Sequence, residues 1–316
     1  HHFRIFGESE MKGSAGQKRV PEDYIKNYKL SAPMLKDQIQ IVHFLDKELE
    51  KIDTLIKKKE QLITLLEEKR KAVISHAVTK GLNPKTLMKD SGVEWLGSVP
   101  VHWDIMPLRY FIRTTKGFAF KSTDFRDEGV RVVRATDIKQ KTILKSAVFL
   151  PKEFLGTHHK VRLTTGNIII STVGSNPDVI NSAVGQIGMV PEELNNTLLN
   201  QNTVILKPTK RVSNNFLIHL LSSTAYRENL DLYAHGTANQ SSLSLEDILN
   251  YKSAIPPIEE QEIIYAEINK KVSLIEKLIK KSNCSIKLSR ERRTALISAA
   301  VTGKIDIREE VAHAVI

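Results

Sequence analysis

One cysteine, Cys284, stands in 316 residues, so no disulfide framework and no cysteine-based zinc site can be built within the chain. No apolar run approaches the roughly 20 residues that a membrane span needs, and nothing at the start reads as a signal peptide. Together these absences suit a protein of the reducing cytoplasm. An initiator Met is also missing, and His1-His2 opens the chain as a tag remnant or a cut end would, so it reads as a fragment. Catalytic signatures are scarce. An adenine methyltransferase needs Asn/Asp-Pro-Pro-aromatic, but Pro256-Pro257 lies between Ile255 and Ile258, and Asn176-Pro177 precedes Asp178. A nucleotide-binding loop needs Gly-Lys-Ser/Thr after a glycine-rich turn. Here Gly303-Lys304 runs into Ile305, and Lys121-Ser122 lacks the glycine. The acids at Asp178 and at Glu192-Glu193 lack the neighbouring lysine of a metal-dependent nuclease. His158-His159 would face opposite ways on a strand and reads as a solvated loop rather than a metal site. The chain therefore reads as a non-enzyme that holds no cofactor or metal of its own.

Positive charge is plentiful. Against 36 Asp and Glu stand 47 Lys and Arg, a net charge of +11, which favours a polyanionic partner and nucleic acid before a membrane surface.

The chain also contains one stretch twice. Val42, Leu45, Leu49, Ile52, Ile56, Ile63, Leu66, Val73 and Ala77 step by three and four, with Lys59 and Arg70 as interruptions. This is a heptad seam on a long helix. Shifted by 223, the seam becomes Tyr265, Ile268, Val272, Ile275, Ile279, Ile286, Ser289, Leu296 and Ala300, and the interruptions recur as Ser282 and Arg293. The register holds without a gap from Gly13 to Thr79 against Gly236 to Thr302. The first helix is expected from Leu35 or Lys36 to Gly81, with Pro84 beyond it; the second follows Pro256-Pro257 and ends at Gly303. Neither can bury its seam alone, and a domain that leaves one helix end and re-enters favours an antiparallel coiled coil.

The expected fold class is α+β, a mixed α/β domain flanked by the two long helices. The boundaries are a tail over 1–20, a first helical region over 21–85, the domain over 86–245 and a second helical region over 246–316. Residues 1–20 read as a polar, basic loop, and Pro21 to Ile25 as a short helix. The linker 82–105 carries both tryptophans, Trp95 and Trp103, and is expected to pack. Strands are expected at Val130–Arg134, Asn167–Ser171, Ala183–Val190 and Thr203–Leu206, and an amphipathic helix from Asn214 through Tyr226.

Reading DNA needs cations for phosphates and forked amides or guanidinium groups for base edges. One segment with both is Lys116, Lys121 and Ser122, with Arg131 and Arg134 on the neighbouring strand. Another is Ser171, Thr172, Gly174, Ser175 and Asn176, where a strand runs into a glycine turn. A third is His235, Thr237, Asn239, Gln240 and Ser241, in a loop leading into a short helix. Asn200 and Gln201 form a fourth, which turn chemistry before a strand explains equally well. For any single residue, a solvated loop remains the simpler account.

Taken together, the duplicated helix ends (Lys69 to Thr79, Arg292 to Lys304) and the runs Ser91 to Trp103, Lys116 to Ser122 and Gly236 to Ser241 resemble the DNA specificity subunits of type I restriction–modification enzymes. The resemblance implies a non-catalytic reader of double-stranded DNA in which each recognition domain reads half of a split site. It implies that the helices fix the spacing of the halves and dock DNA adenine methyltransferase subunits. Restriction and translocase subunits would join these, so S-adenosylmethionine, Mg and ATP belong to partners rather than to this chain. A full member carries two recognition domains; this chain shows one, about 90–245, with residues 1–20 resembling the end of another. A stand-alone DNA binder dimerising through its helices, and a coiled-coil adaptor that binds no DNA, are the competing readings.

Overall fold

The computed structural model describes residues 2–12, 18–29, 32–139, 142–174, 184–233, 235–237 and 240–306. Two compact units emerge: His1–Leu66 with Glu276–Ile316, and Glu67–Ile275. The first holds the short helices α1 (His2–Ser9) and α2 (Glu22–Asn27). It also holds most of α3 (Leu35–Lys80) and the second half of the last helix, α8 (Ile258–Val301).

In this unit the seam is apolar and antiparallel. Ile52, Leu66 and Ile286 are buried, with Ile56, Ile63 and Ile279 half-buried on the same faces. Phe44 and Leu45 pack with Ala300, Leu296 and Ile297. Arg293 Nε donates to Asp53 Oδ1 at 3.0 Å, and Arg290 Nη2 to Glu60 Oε1 at 3.0 Å, so α3 ascends as α8 descends. Arg293, an interruption of the seam, therefore reaches across to the facing helix. Such exposed pairs set register more than they stabilise, each being worth roughly 0.2–1 kcal/mol.

Two expectations fail here. Val42 is 57% exposed, because the packed face near the start of α3 turns to Ile41, Phe44 and Leu45, against which Ile305 also packs. Residues 2–9 are a helix and not a loop. The rings of Phe3, Tyr24 and Tyr28 cluster with centroids 4.9–5.7 Å apart, and Tyr24 Oη donates to Phe3 O, so α2 supplies the packing that α1 lacks on its own.

The second unit begins with the last turns of α3, which Gly81 ends in the left-handed region (φ +76°) as the sequence predicts. Strands β1 (Met88–Asp90) and β2 (Ser98–Pro100) pair antiparallel within the linker. Trp103 is fully buried there, whereas Trp95 lies 41% exposed, stacked on Tyr251. Next come β3 (Asp104–Pro107), β4 (Ile112–Lys116), β5 (Val130–Val133), β6 (Ile138–Lys139), β7 (Thr142–Ile143) and β8 (Phe149–Leu150). Helix α4 (Phe154–Thr157) leads to β9 (Ile168–Ser171), β10 (Val173–Gly174), β11 (Ile187–Met189), β12 (Leu198–Leu199) and β13 (Thr203–Pro208). The unit closes with α5 (Asn214–Leu220), α6 (Thr224–Tyr233), β14 (His235–Thr237), β15 (Gln240–Ser242), α7 (Leu245–Asn250), β16 (Lys252–Ile255) and the start of α8.

The central sheet runs β11-β9-β13-β4, antiparallel throughout. Its central strands β9 and β13 carry unbroken apolar runs because they separate two cores. Ile168, Ile170, Val204 and Leu206 enter one, and Ile169 and Ile205 enter the other. Around the second core, β5 lies between β12 and β8, and β6 pairs with β7. The helix expected through Tyr226 breaks at Leu221–Ser223. Ser222 Oγ turns back onto Ile218 O, and Ser223 Oγ accepts from Tyr226 N, so Ser223 caps a new helix, α6.

Entry and exit of this unit are paired. Strand β16 lies antiparallel to β3, and Glu260 Oε2 takes hydrogen bonds from His102 Nε2 at 2.7 Å and Trp103 Nε1 at 3.2 Å. Lys80 Nζ donates to the carbonyls of Leu96 and Ser98, and burial holds its pKa below the usual lysine value. The last turns of α3 and the first half of α8 share one core here, through Ala77, Val78 and Ile268. Val272 packs against that core and Ile275 is buried.

The repeat also survives as structure. Shifted by 223, α2 coincides with α7, α1 falls inside α6, and the first residue of α3 becomes the first of α8. The antiparallel bridge Lys12–Arg19 becomes the pairing of His235 with Ser242.

Candidate nucleic-acid interface

All four candidate segments meet at one end of the central sheet. Strand β4 ends and β13 begins there, with Lys116 opposite Val204 and Gly117 N donating to Thr203 O at 2.8 Å. Beyond them, Phe118 N donates to Leu199 O and Asn200 N to Val133 O, tying the Lys116–Ser122 loop and the strand of Arg131 to the Asn200–Gln201 turn. On the other side of β13, Ser171 faces Thr203, and Thr172 N donates to Asn202 O at 2.9 Å. Asn202 adopts φ +65°, a conformation asparagine tolerates better than most residues, which turns the chain into β13. From Thr172 the chain enters β10, which pairs with β15, with Val173 opposite Ser242 and Gly174 opposite Ser241. The stretch expected as a loop, His235 to Ser241, is thus largely the β14–β15 hairpin; its backbone joins the Ser171–Gly174 segment in one three-stranded sheet. Ser175, Asn176 and Asn239 lie outside the described residues.

The individual side chains divide. Lys116, Lys121, Ser122 and Gln201 are exposed. Ser171 is not a surface contact: it is fully buried, and its hydroxyl donates to Val173 O at 2.9 Å, shaping the entry to β10. Arg131 lies over the Phe149 ring at 4.8 Å, half-buried. Arg134 points to Asp137 at 3.6 Å and, with Arg126, Asp127 and Asn200, lines an open cavity of about 510 Å³. Arg134 Nε is buried without a hydrogen-bond partner among the described residues.

Sequence reasoning missed Arg126 and Phe118. Arg126 Nη1 is held by the carbonyls of Thr123 and Phe125, an arrangement with no motif behind it. Phe118 read as part of a motif, but its 45% exposure was not legible. Among the described residues no group of three His, Cys, Asp or Glu could hold a metal ion, and no helix is long and apolar enough to cross a membrane.

This arrangement gathers cations, amides and hydroxyls on strand ends, with two cores behind them. Residues 100–287, more than half of the chain, match the family described as type I restriction modification DNA specificity domain, and the chain belongs to that family. Its function is DNA sequence recognition in a type I restriction–modification system, as a non-catalytic component.

Among curated relatives, the type I restriction enzyme MjaVIII specificity subunit of Methanocaldococcus jannaschii is 25% identical over 306 residues, covering 96% of this chain and 68% of that protein. The EcoBI specificity subunit of Escherichia coli is 21% identical over 285 residues, covering 87% of this chain and 58% of that protein. The chain thus spans about three fifths to two thirds of these relatives. Among solved structures, a chain from a study of complex assembly and conformational transition in a type I restriction–modification system superposes with a TM-score of 0.72 at 16% identity. The HsdS subunit from Thermoanaerobacter tengcongensis gives 0.55 at 15% identity, and each match covers 96% of this chain and 68% of the other. These two establish a shared fold.

Proposed function

We propose that the second unit reads one half of a bipartite site in double-stranded DNA with the sheet end built from Lys116–Ser122, Thr172–Gly174, Asn200–Gln201 and the β14–β15 hairpin. One observation carries this reading: residues far apart in sequence, each of a type that contacts phosphates or base edges, are hydrogen-bonded into one surface through Thr203, Asn202 and Leu199. Cations there engage phosphates and set register, while amides and hydroxyls read base edges. The paired helices dock DNA adenine methyltransferase subunits, which recruit restriction and translocase subunits. S-adenosylmethionine, Mg and ATP serve those partners, and this chain works in the same compartment as the DNA.

Two measurements test the reading. Binding of the full chain to duplexes is titrated across salt, where contact with several phosphates gives a steep loss of affinity. A pull-down of a type I methyltransferase subunit, with and without DNA, tests docking. Salt-independent binding, or none, removes the interface; absence of the methyltransferase from the pull-down removes the docking.

A further inference from the structure

Phe118 is the anomaly of this surface. Most large apolar side chains of the second core are covered, and Phe120, two residues on, closes that core at 8% exposure. Phe118 packs on Phe120 yet leaves 45% of itself in solvent. Its position is nevertheless fixed. Phe118 N donates to Leu199 O at 3.0 Å, and the backbone pairs with Asn200. Gly117 is what permits this approach, because a Cβ there would sit 1.9 Å from Asn200 O. The ring is buttressed from behind by an aromatic row. Its centroid lies 5.1 Å from Phe120 and 4.5 Å from His158, and His158 stacks on Phe154 at 5.0 Å. Exposed cations flank it in the chain, Lys116 and Lys121 on its own loop and Lys160 two residues beyond His158.

An apolar ring held in place from one side, half exposed and flanked in the chain by cations has the properties of a wedge. Proteins that unstack duplex DNA insert Phe, Leu or Ile at a base step while surrounding cations hold the backbone. A flexible ring would lose its insertion energy to ordering; this one is ordered by Leu199, Phe120 and His158 before DNA arrives.

We propose that Phe118 inserts against the bases at one step of the recognised half-site and partly unstacks it. The proposal rests on the reading of this sheet end as the DNA surface. It assigns the discrimination at that step to the deformability of the DNA rather than to a hydrogen bond.

The test uses the full chain. Duplexes it retains are selected from a randomised pool, and a fluorescent base is placed in turn at each position of the recovered consensus and its complement, 2-aminopurine for adenine and pyrrolo-cytosine for cytosine. Insertion brightens the fluorophore severalfold at one step on binding. Phe118→Ala abolishes that signal and weakens binding to the consensus about tenfold, while Phe118→Trp retains the signal. Thermal melting of Phe118→Ala reports its folding, and the scan on the unsubstituted chain needs no variant at all. A scan that stays dark at every step overturns the wedge. So does Phe118→Ala that binds the consensus undiminished; both leave the DNA surface standing. A chain that retains no duplex from the pool overturns the DNA surface and the wedge with it.

Discussion

Gln38 and Gln261 make the same hydrogen bond, 223 residues apart: each Nε2 donates at 2.8 Å to the carbonyl of the proline five residues earlier, Pro33 and Pro256. Only Gln261 goes further. It is fully buried, its Nε2 also donates to Arg211 O, and its Oε1 accepts from Ser213 N. Both copies inherit the helix-entry bond, and one of them has become a clasp on the recognition domain.

Substitution should separate the two. Gln261→Ala strands one buried backbone group, Pro256 O, and two part-buried ones, Arg211 O and Ser213 N, and should cost about 1–3 kcal/mol, since an unsatisfied buried group costs roughly that much. Gln38→Ala, in an exposed copy, should stay within about 0.5 kcal/mol. Denaturant unfolding of each variant measures the difference, and equal losses would contradict it.

Along the seam, Ile52→Asp places a carboxylate where an isoleucine is 7% exposed, and Ile275→Asp does so at 5%. Each should lower stability by several kcal/mol through lost burial and an unpaired buried charge. Val42→Asp, at a position that shares the sequence pattern but is exposed, should have little effect. Midpoints in urea compare the three.

Buried hydroxyls give a pH signature. Tyr226 and Tyr251 meet edge to face at 4.9 Å, and neither hydroxyl has a hydrogen-bond partner among the described residues. Burial raises both pKa values well above 10.0. The unfolded chain therefore loses these protons first, so stability is intact below pH 10 and falls as pH climbs beyond it. Tyr226→Phe should blunt that alkaline loss, and at neutral pH should be neutral or stabilising by about 1 kcal/mol because it removes an unsatisfied group. Melting curves between neutral and alkaline pH test both signs.

On the DNA surface, Lys121→Ala should weaken binding to specific and random duplex alike and reduce the salt slope by about one. Gln201→Ala should instead relax discrimination, by about 1–3 kcal/mol at a base pair if it reads that pair. Competition between consensus and random duplex at two salt concentrations distinguishes them, and identical losses from both variants would remove Gln201 from base reading.

Much of this architecture was legible because it is periodic. A seam repeated over 46 residues of α3 and 44 of α8 is a redundant signal, and the starts of both helices followed from Pro33 and Pro257. The strands at Ile168 and Thr203 were legible as apolar runs because they lie between two cores, and the one at Val130 because it lines the second. What escaped was set by long-range contact. Helix α1 depends on the rings of α2; Val42 was displaced by the way Ile41 and Phe44 pack; Ser171 turned inward to hold Val173 O. The site followed the same division. Its segments could be named from residue types, but their meeting depends on bonds such as Phe118 N to Leu199 O, which no local pattern encodes.

The glycine contact at Asn200 has a consequence for kinetics. With Gly117 pressed against that carbonyl and Phe118 tied to Leu199, this part of the reading loop is already set before any encounter. Little time is then spent rearranging it after collision, and charge governs how quickly duplex is found whatever its sequence. Right and wrong sequences should arrive at similar rates and differ chiefly in how long they stay.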